Sequence, residues 1–262
     1  MPGKSPRCPL RPWRGWSRGA LTGLSLWLMA ANGQGHAQTA DDWSPSAVIE
    51  DARFADPTDV YAHAVLGDAL EWSVLHISGS GQDGTPATVE IRLPSDHVFE
   101  DLTPRLIDLS LDGRPDAVMV VETDMDRGAA LALYGTGGKI AETPHIGTRF
   151  RWLAPVGVAD LDGDGHVEIA YVDRPHLAKT LRIWRFADGQ LTEIAAIPGL
   201  TNHRIGEDFI SGGLRDCDTG PELILASGNW SRVIAVSYDQ GWIQSDLGPF
   251  KGPISLSAAL SC

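Results

Sequence analysis

The stretch Asp160-Leu161-Asp162-Gly163-Asp164-Gly165-His166-Val167-Glu168 decides the fold. Carboxylates stand at positions 1, 3, 5 and 9 of this loop, and a glycine stands at position 6. On a tight loop the side chains at 1, 3 and 5 point inward and Gly165 permits the sharp turn. The carbonyl of His166, at position 7, adds an oxygen, and Glu168 closes the cage. A hard divalent cation takes about six to eight oxygens in this way, so the loop predicts a calcium site on Asp160, Asp162, Asp164, His166 and Glu168. A helix-flanked calcium loop would need Glu at position 12. That position is Tyr171, inside a Val/Ile/Tyr run that reads as strand, so the loop is a hairpin between strands. The competing reading, a solvated acidic turn, accounts for the acidity but not for the frame that follows.

The frame recurs 52 residues earlier as Asp108-Leu109-Ser110-Leu111-Asp112-Gly113-Arg114-Pro115-Asp116. Here Ser110 is a weaker ligand at position 3, Arg114 offers the position 7 carbonyl, and Asp108, Asp112 and Asp116 keep their places. Tyr134, Phe186 and Tyr238 fall at the same interval, as do Gly137, Gly189 and Gly241. Around these markers the pattern is short and two-periodic, which predicts four strands per unit. In the third unit they are Val156–Ala159, Glu168–Val172, Leu181–Phe186 and Leu191–Ala196; in the second, Arg105–Ile107, Ala117–Val121, Ala129–Tyr134 and Ile140–Thr143. A fourth unit reads Asp208–Ser211, Glu222–Ala226, Arg232–Tyr238 and Trp242–Asp246. A weaker first unit begins at Tyr61 with His63–Val65, Glu71–Ile77 and Ala87–Leu93. The fourth unit's counterpart of the acidic loop, Leu214 to Glu222, has Leu for the first carboxylate and Thr for the glycine, so it is not read as a metal site.

Four-stranded units at this period predict an all-β fold, a small β-propeller of four to five blades over residues 61–262, because each small sheet buries its faces against neighbouring blades. A β-sandwich with coincidental spacing is the alternative. Ser46–Phe54, within an N-terminal segment 38–60, and Ile254–Leu260 are expected as end strands that close the ring or supply part of a fifth blade.

The Asp160 loop and its looser Asp108 copy resemble the FG-GAP or VCBS repeats of integrin-alpha-like β-propellers over roughly residues 61–250. The resemblance implies structural calcium and a role in adhesion or recognition, with a protein or glycan as partner. Typical members have seven blades, too many for this chain at its own period, and the strict Phe-Gly…Gly-Ala-Pro signature is absent.

Residues 1–37 read as an export signal: Lys4, Arg7, Arg11, Arg14 and Arg18, then an apolar run from Ala20 to Ala31, then small residues at Gly35 and Ala37. The run is shorter than the roughly twenty residues of a membrane span. Cleavage after Ala37 would place the product in the periplasm or outside the cell; an uncleaved anchor is the alternative. The remaining chain has 16 Lys+Arg against 34 Asp+Glu, about −18, which argues against nucleic acid as a partner. No later stretch is apolar enough to span a membrane. Cys8 leaves with the signal, and Cys217 and Cys262 are expected to pair in an oxidising compartment, against two free thiols or an intermolecular bridge.

No constellation points to catalysis. Gly135-Thr-Gly-Gly-Lys139 lacks the Ser/Thr of a phosphate loop and reads as a turn, and Ser78-Gly-Ser-Gly81 reads as a strand-ending loop. His63, His76, His97, His145, His166, His176 and His203 show no ligand spacing. Of the tryptophans, Trp184 reads as core and Trp230 as exposed, with Trp152 and Trp242 as further candidates for a binding face. Arg149, Arg151, Arg174 and Lys179 are expected to balance the third loop's carboxylates. A carbohydrate-active hydrolase or lyase on the same scaffold is the competing class. It would need two carboxylates from loops such as Asp124, Asp126, Asp173 or Glu207 to meet in a pocket.

Overall fold

The structure is a computed structural model that describes residues 44–67, 70–217 and 220–262. The export signal, its cleavage site, Cys8 and Asp218 lie outside the described residues. Those described hold seventeen strands and one short helix, an almost wholly β architecture. Three sheets form, antiparallel throughout. The first joins β1 (Ala47–Thr58), β2 (Glu71–Gly81), β4 (His97–Phe99), β6 (Ala117–Asp124), β7 (Gly128–Gly135) and β8 (Gly138–Glu142) in that order, with β3 (Pro86–Arg92) on β2 and β5 (Arg105–Ile107) on β6. The second is a meander of β9 (Leu153–Ala159), β10 (Val167–Asp173), β11 (Thr180–Ala187) and β12 (Gln190–Pro198). The third orders β13 (Leu200–Thr201), β15 (Gly220–Ser227), β16 (Arg232–Tyr238) and β17 (Trp242–Pro249), with β14 (Gly213–Cys217) on β15.

Three consecutive four-stranded meanders, β5–β8, β9–β12 and β14–β17, thus follow the repeat. Strands β6, β7 and β10 are buried on both faces, and period 2 sends alternate residues to opposite neighbours. Val118 and Val120 of β6 pack with Leu75, Ile77 and Phe99 of the first unit. Met119 and Val121 pack instead with Ile169, Tyr171 and Trp184 of the next meander. Ala170 and Val172 of β10 face Leu223 and Leu225 of β15. The layers therefore stack in chain order, each one's far face serving the next.

The ends depart from expectation. His63–Val65 is not a strand; β1 takes its place and pairs with β2, and the short β4 fuses the first unit to the second through Trp72↔Phe99 and His97↔Asp124. β2 runs through Ser78–Gly81 rather than ending there. A Cβ on Gly79 would lie 2.0 Å from the Val48 carbonyl oxygen, so only glycine admits the close approach of β1. The first strand of the fourth unit is Gly213–Cys217, not Asp208–Ser211.

Ile254–Leu260 does not form a strand either: Pro253–Ala259 is helix α1. Pro253 is pre-set for the first turn, and Leu256, Ala259 and Leu260 share the i, i+3, i+4 face. That face covers Ile224, Ala226, Val233 and Ala235, the side of the last meander that no further sheet covers. Cys217 and Cys262 are bonded, with Cα atoms 5.9 Å apart, and this ties the segment after α1 to β14. Among the described residues neither end strand closes a ring by pairing.

Candidate functional site

The third-unit hairpin joins β9 to β10, with Ala159 paired to Glu168 across the loop. Asp160 accepts the amides of Gly163, Asp164 and Gly165 at 2.8–3.1 Å, and Asp164 accepts that of His166 at 3.0 Å. Glu168 is fully buried, and its Oε2 accepts the Leu161 amide at 2.9 Å. Oxygens of Asp160, Asp162 and Glu168 lie within 4.8 Å of one another. Asp162 Oδ1 is buried and has no hydrogen-bond partner. An oxygen-only donor set with an orphaned carboxylate oxygen fits a hard cation. The chemistry such an ion would supply there is charge neutralisation and bracing of the hairpin.

A side chain that the sequence did not single out already provides part of that charge. Arg185 of β11 donates Nε to Glu168 Oε1 at 2.8 Å, reaches Asp164 Oδ2 with Nη1 at 2.9 Å, and pairs through Nη2 with Asp162 Oδ2. Burial pushes the Glu168 carboxyl above its ordinary range, and the bond to Arg185 offsets only part of that. The cluster expected to play this role lies at the other end of the sheet. Arg174 pairs with Asp173 at 2.7 Å, and Lys179 donates to the Gly228 carbonyl at 2.6 Å. Arg149 stacks on Phe150 at 4.7 Å, and Arg151 donates to the Phe150 carbonyl at 2.7 Å.

In the second-unit hairpin the carboxylates serve mainly the loop's own backbone. Asp116 is buried and accepts the amides of Leu109 and Ser110 at 2.9 and 3.0 Å; burial pushes its carboxyl up. Asp108 accepts the Gly113 amide at 2.7 Å and the Ser110 hydroxyl at 3.3 Å. Asp112 pairs with Arg114 at 2.6 Å, which holds its carboxyl low. In the fourth unit the described residues of the counterpart segment are strand pairs instead, Leu214↔Leu223 and Arg215↔Glu222 among them.

The two hairpins are not copies beyond the loop. Turns β7–β8 and β11–β12 match at the 52-residue offset, Gly135↔Gly138 against Ala187↔Gln190. The turn between β6 and β7 spans 125–127, however, whereas that between β10 and β11 spans 174–179. Tyr134 consequently faces Val118 and Phe186 faces Val167, a slip of three positions within the frame. The slip is what sets Arg185 across from Glu168.

Residues 108–171 match the model of an FG-GAP-like repeat. This stretch is similar to an FG-GAP-like repeat. It starts at the first carboxylate of one acidic hairpin and runs through the other into β10. Neither a curated protein nor a solved structure matches the chain.

At the end of β10 opposite the acidic hairpin, a cavity of about 200 Å³ is lined by His63, Val65, Phe150, Arg151, Trp152 and Arg174, with His176, Leu177 and Ile205. Behind it Glu100 is fully buried; its Oε1 is 2.5 Å from His63 Nδ1 and its Oε2 accepts the Thr123 hydroxyl at 2.7 Å. Burial raises the Glu100 carboxyl. Burial likewise lowers His176 to about 4, helped by His203, which lies 2.9 Å away. Among the described residues no carboxylate lines this cavity. Asp124 is bound by Arg127, Asp173 by Arg174 and Arg182, and Glu207 accepts the Arg204 amide. Trp184 is core as expected. Trp230 is half-buried rather than exposed, between Arg204 at 4.3 Å and Phe250 at 5.1 Å.

Proposed function

We propose that the chain is an exported, calcium-stabilised module of β-propeller type that recognises a protein or glycan partner. The supporting observation is that one FG-GAP-like match spans both acidic hairpins, and that the hairpin of Asp160, Asp162, Asp164, His166 and Glu168 leaves a buried carboxylate oxygen unpartnered. On this reading the stacked meanders are consecutive blades, and a cation braces the hairpins on one rim while loops on the other meet the partner. The arginine-rich opening of residues 1–37 and the Cys217–Cys262 bond are consistent with an oxidising, extracytoplasmic site.

The test is thermal unfolding in chelator and in calcium. A ligand that binds only the folded state at about one hundred times its dissociation constant adds about 2.7 kcal/mol. Asp164→Ala should remove more of the shift than Ser110→Ala. A midpoint that saturating calcium leaves unchanged sinks the metal assignment.

A further inference from the structure

Three residues far apart in sequence form a row across one end of the first sheet. His97 of β4 is the Cα partner of Asp124 of β6, and Asp124 is the partner of Gly128 of β7. The segment after β8 continues on β7, with the Thr143 amide on the Leu131 carbonyl and the Ile146 amide on the Ala129 carbonyl, which brings His145 beside Gly128. His145, held on the Gly128 carbonyl, and Asp124, the Cα partner of Gly128, thereby become neighbours. One ring nitrogen of each histidine and one Asp124 oxygen lie within 4.8 Å of one another. His97 Nε2 is 3.8 Å from Asp124 Oδ2, and the two imidazoles meet edge to face at 6.0 Å between centroids.

The surrounding oxygens orient these groups as ligands. His145 Nδ1 lies 2.7 Å from the Gly128 carbonyl, which can only accept, so in the neutral ring the proton is on Nδ1 and the lone pair on Nε2. His97 Nδ1 lies 2.9 Å from an Asp96 carboxylate oxygen, which leaves its Nε2 free on the Asp124 side. Such oxygen partners on the second ring nitrogen are the usual support of metal-binding histidines. Asp124 Oδ1 is held by the amides of Asp126 and Arg127 at 2.8 and 3.0 Å. Glu122, two residues back on the same face of β6, brings Oε1 to 4.0 Å from His97 Nε2.

We propose that His97, Asp124 and His145 bind a divalent transition-metal ion of the zinc class. Two imidazoles and one carboxylate suit zinc, whereas calcium takes oxygen ligands alone, so this site is chemically separate from the acidic hairpins. Three protein ligands leave one position for Glu122 or water. Arg127 Nε now occupies Asp124 Oδ2 at 2.6 Å, but its side chain is 58% exposed and can move into solvent when the ion takes its place.

Calorimetric titration of zinc into the full chain at neutral pH tests this, with the visible spectrum of bound cobalt reporting nitrogen ligation. His97→Ala and His145→Ala should each weaken zinc by at least about tenfold, and Arg127→Ala should tighten it. Asp160→Ala and His176→Ala should leave it unchanged, which separates this site from the calcium reading and from the His176–His203 pair. Both row histidines are partly exposed, so circular dichroism should show their variants folded. Zinc affinity that survives in the His97→Ala/His145→Ala double variant, or that disappears in His176→Ala, overturns the assignment, as does a chain that binds no zinc.

Discussion

Arg185 offers the sharpest perturbation, because one guanidinium serves three carboxylates: Glu168, Asp164 and Asp162. Arg185→Met keeps most of the aliphatic stem and deletes the charge. Removing one partner of a fully buried pair costs about 3–5 kcal/mol, while an exposed pair is worth about 0–1 kcal/mol. Glu168 is wholly buried, but the Arg185 side chain is 26% exposed and that of Asp164 38%. An intermediate loss of about 2–3 kcal/mol is therefore expected in chelator, about 4–12 °C in midpoint for a chain of this size.

The pH dependence has a definite sign. Without Arg185, burial raises the Glu168 carboxyl further above its unfolded value. A carboxyl raised on folding contributes stability that is present below its unfolded value, near about 4.3, and is lost as pH rises through its folded value. The gap between wild type and variant should therefore be narrow near pH 4 and wide near pH 8. Calcium, on the proposed reading, replaces the missing charge, so its increment in midpoint should be larger in the variant than in the wild type. Differential scanning fluorimetry across pH, with and without calcium, reads all three quantities. A loss below about 1 kcal/mol in chelator, or a gap that does not change with pH, would refute the idea that Arg185 carries the charge of this hairpin.

Glu100→Gln keeps the shape beside His63 and Thr123 but removes a buried charge. Because the Glu100 carboxyl is raised, the variant should melt higher at pH 8, by about 2–4 °C for each kcal/mol relieved, with the advantage vanishing toward pH 4; an advantage that grows on acidification would contradict this. Replacing Cys217 and Cys262 by serine reopens a loop with a sequence separation of 45 and should cost up to about 4 kcal/mol in denaturant unfolding. Leu256→Ala uncovers the last meander and should cost about 2–3 kcal/mol, at the low end for a buried leucine because α1 lies at the edge of the fold.

Much of the second and third units was legible because both rest on local rules. Short, β-branched-rich apolar runs bounded by turn residues mark Ala117–Val121 and Glu168–Val172 as strands, and Asp188-Gly189 marks a turn between β11 and β12. The departures arise where register or end effects decide. Turn length between β6 and β7 differs from that between β10 and β11 while the 52-residue spacing of Tyr134 and Phe186 is unchanged, so the slip that delivers Arg185 to Glu168 leaves no trace in the period. His97, Asp124 and His145 meet only because β4 bridges two units and because the segment after β8 continues along β7. Ile254–Leu260 has apolar residues compatible with either period. The uncovered face of Ile224 and Ala226 selects the helix.

The acidic hairpins and the cavity occupy opposite ends of the same strands, and this division bears on function. β10 carries Glu168 near one end and Asp173 at the other, and each is bound by an arginine of β11, Arg185 and Arg182. The hairpin end is thus already braced by internal charge, and a cation there would add rigidity to a preformed loop. A partner needs surface that remains uncommitted, and the opposite end supplies it: Leu177 and Ile205 are 64% and 73% exposed beside Phe150 and Arg151 around the cavity. Arg151 donates to a carbonyl rather than to a carboxylate, so its charge is available to an acidic group on the partner. On the proposed reading, substituting Leu177 and Arg151 should therefore weaken recognition without moving the midpoint shift produced by calcium, whereas Asp164→Ala should do the reverse.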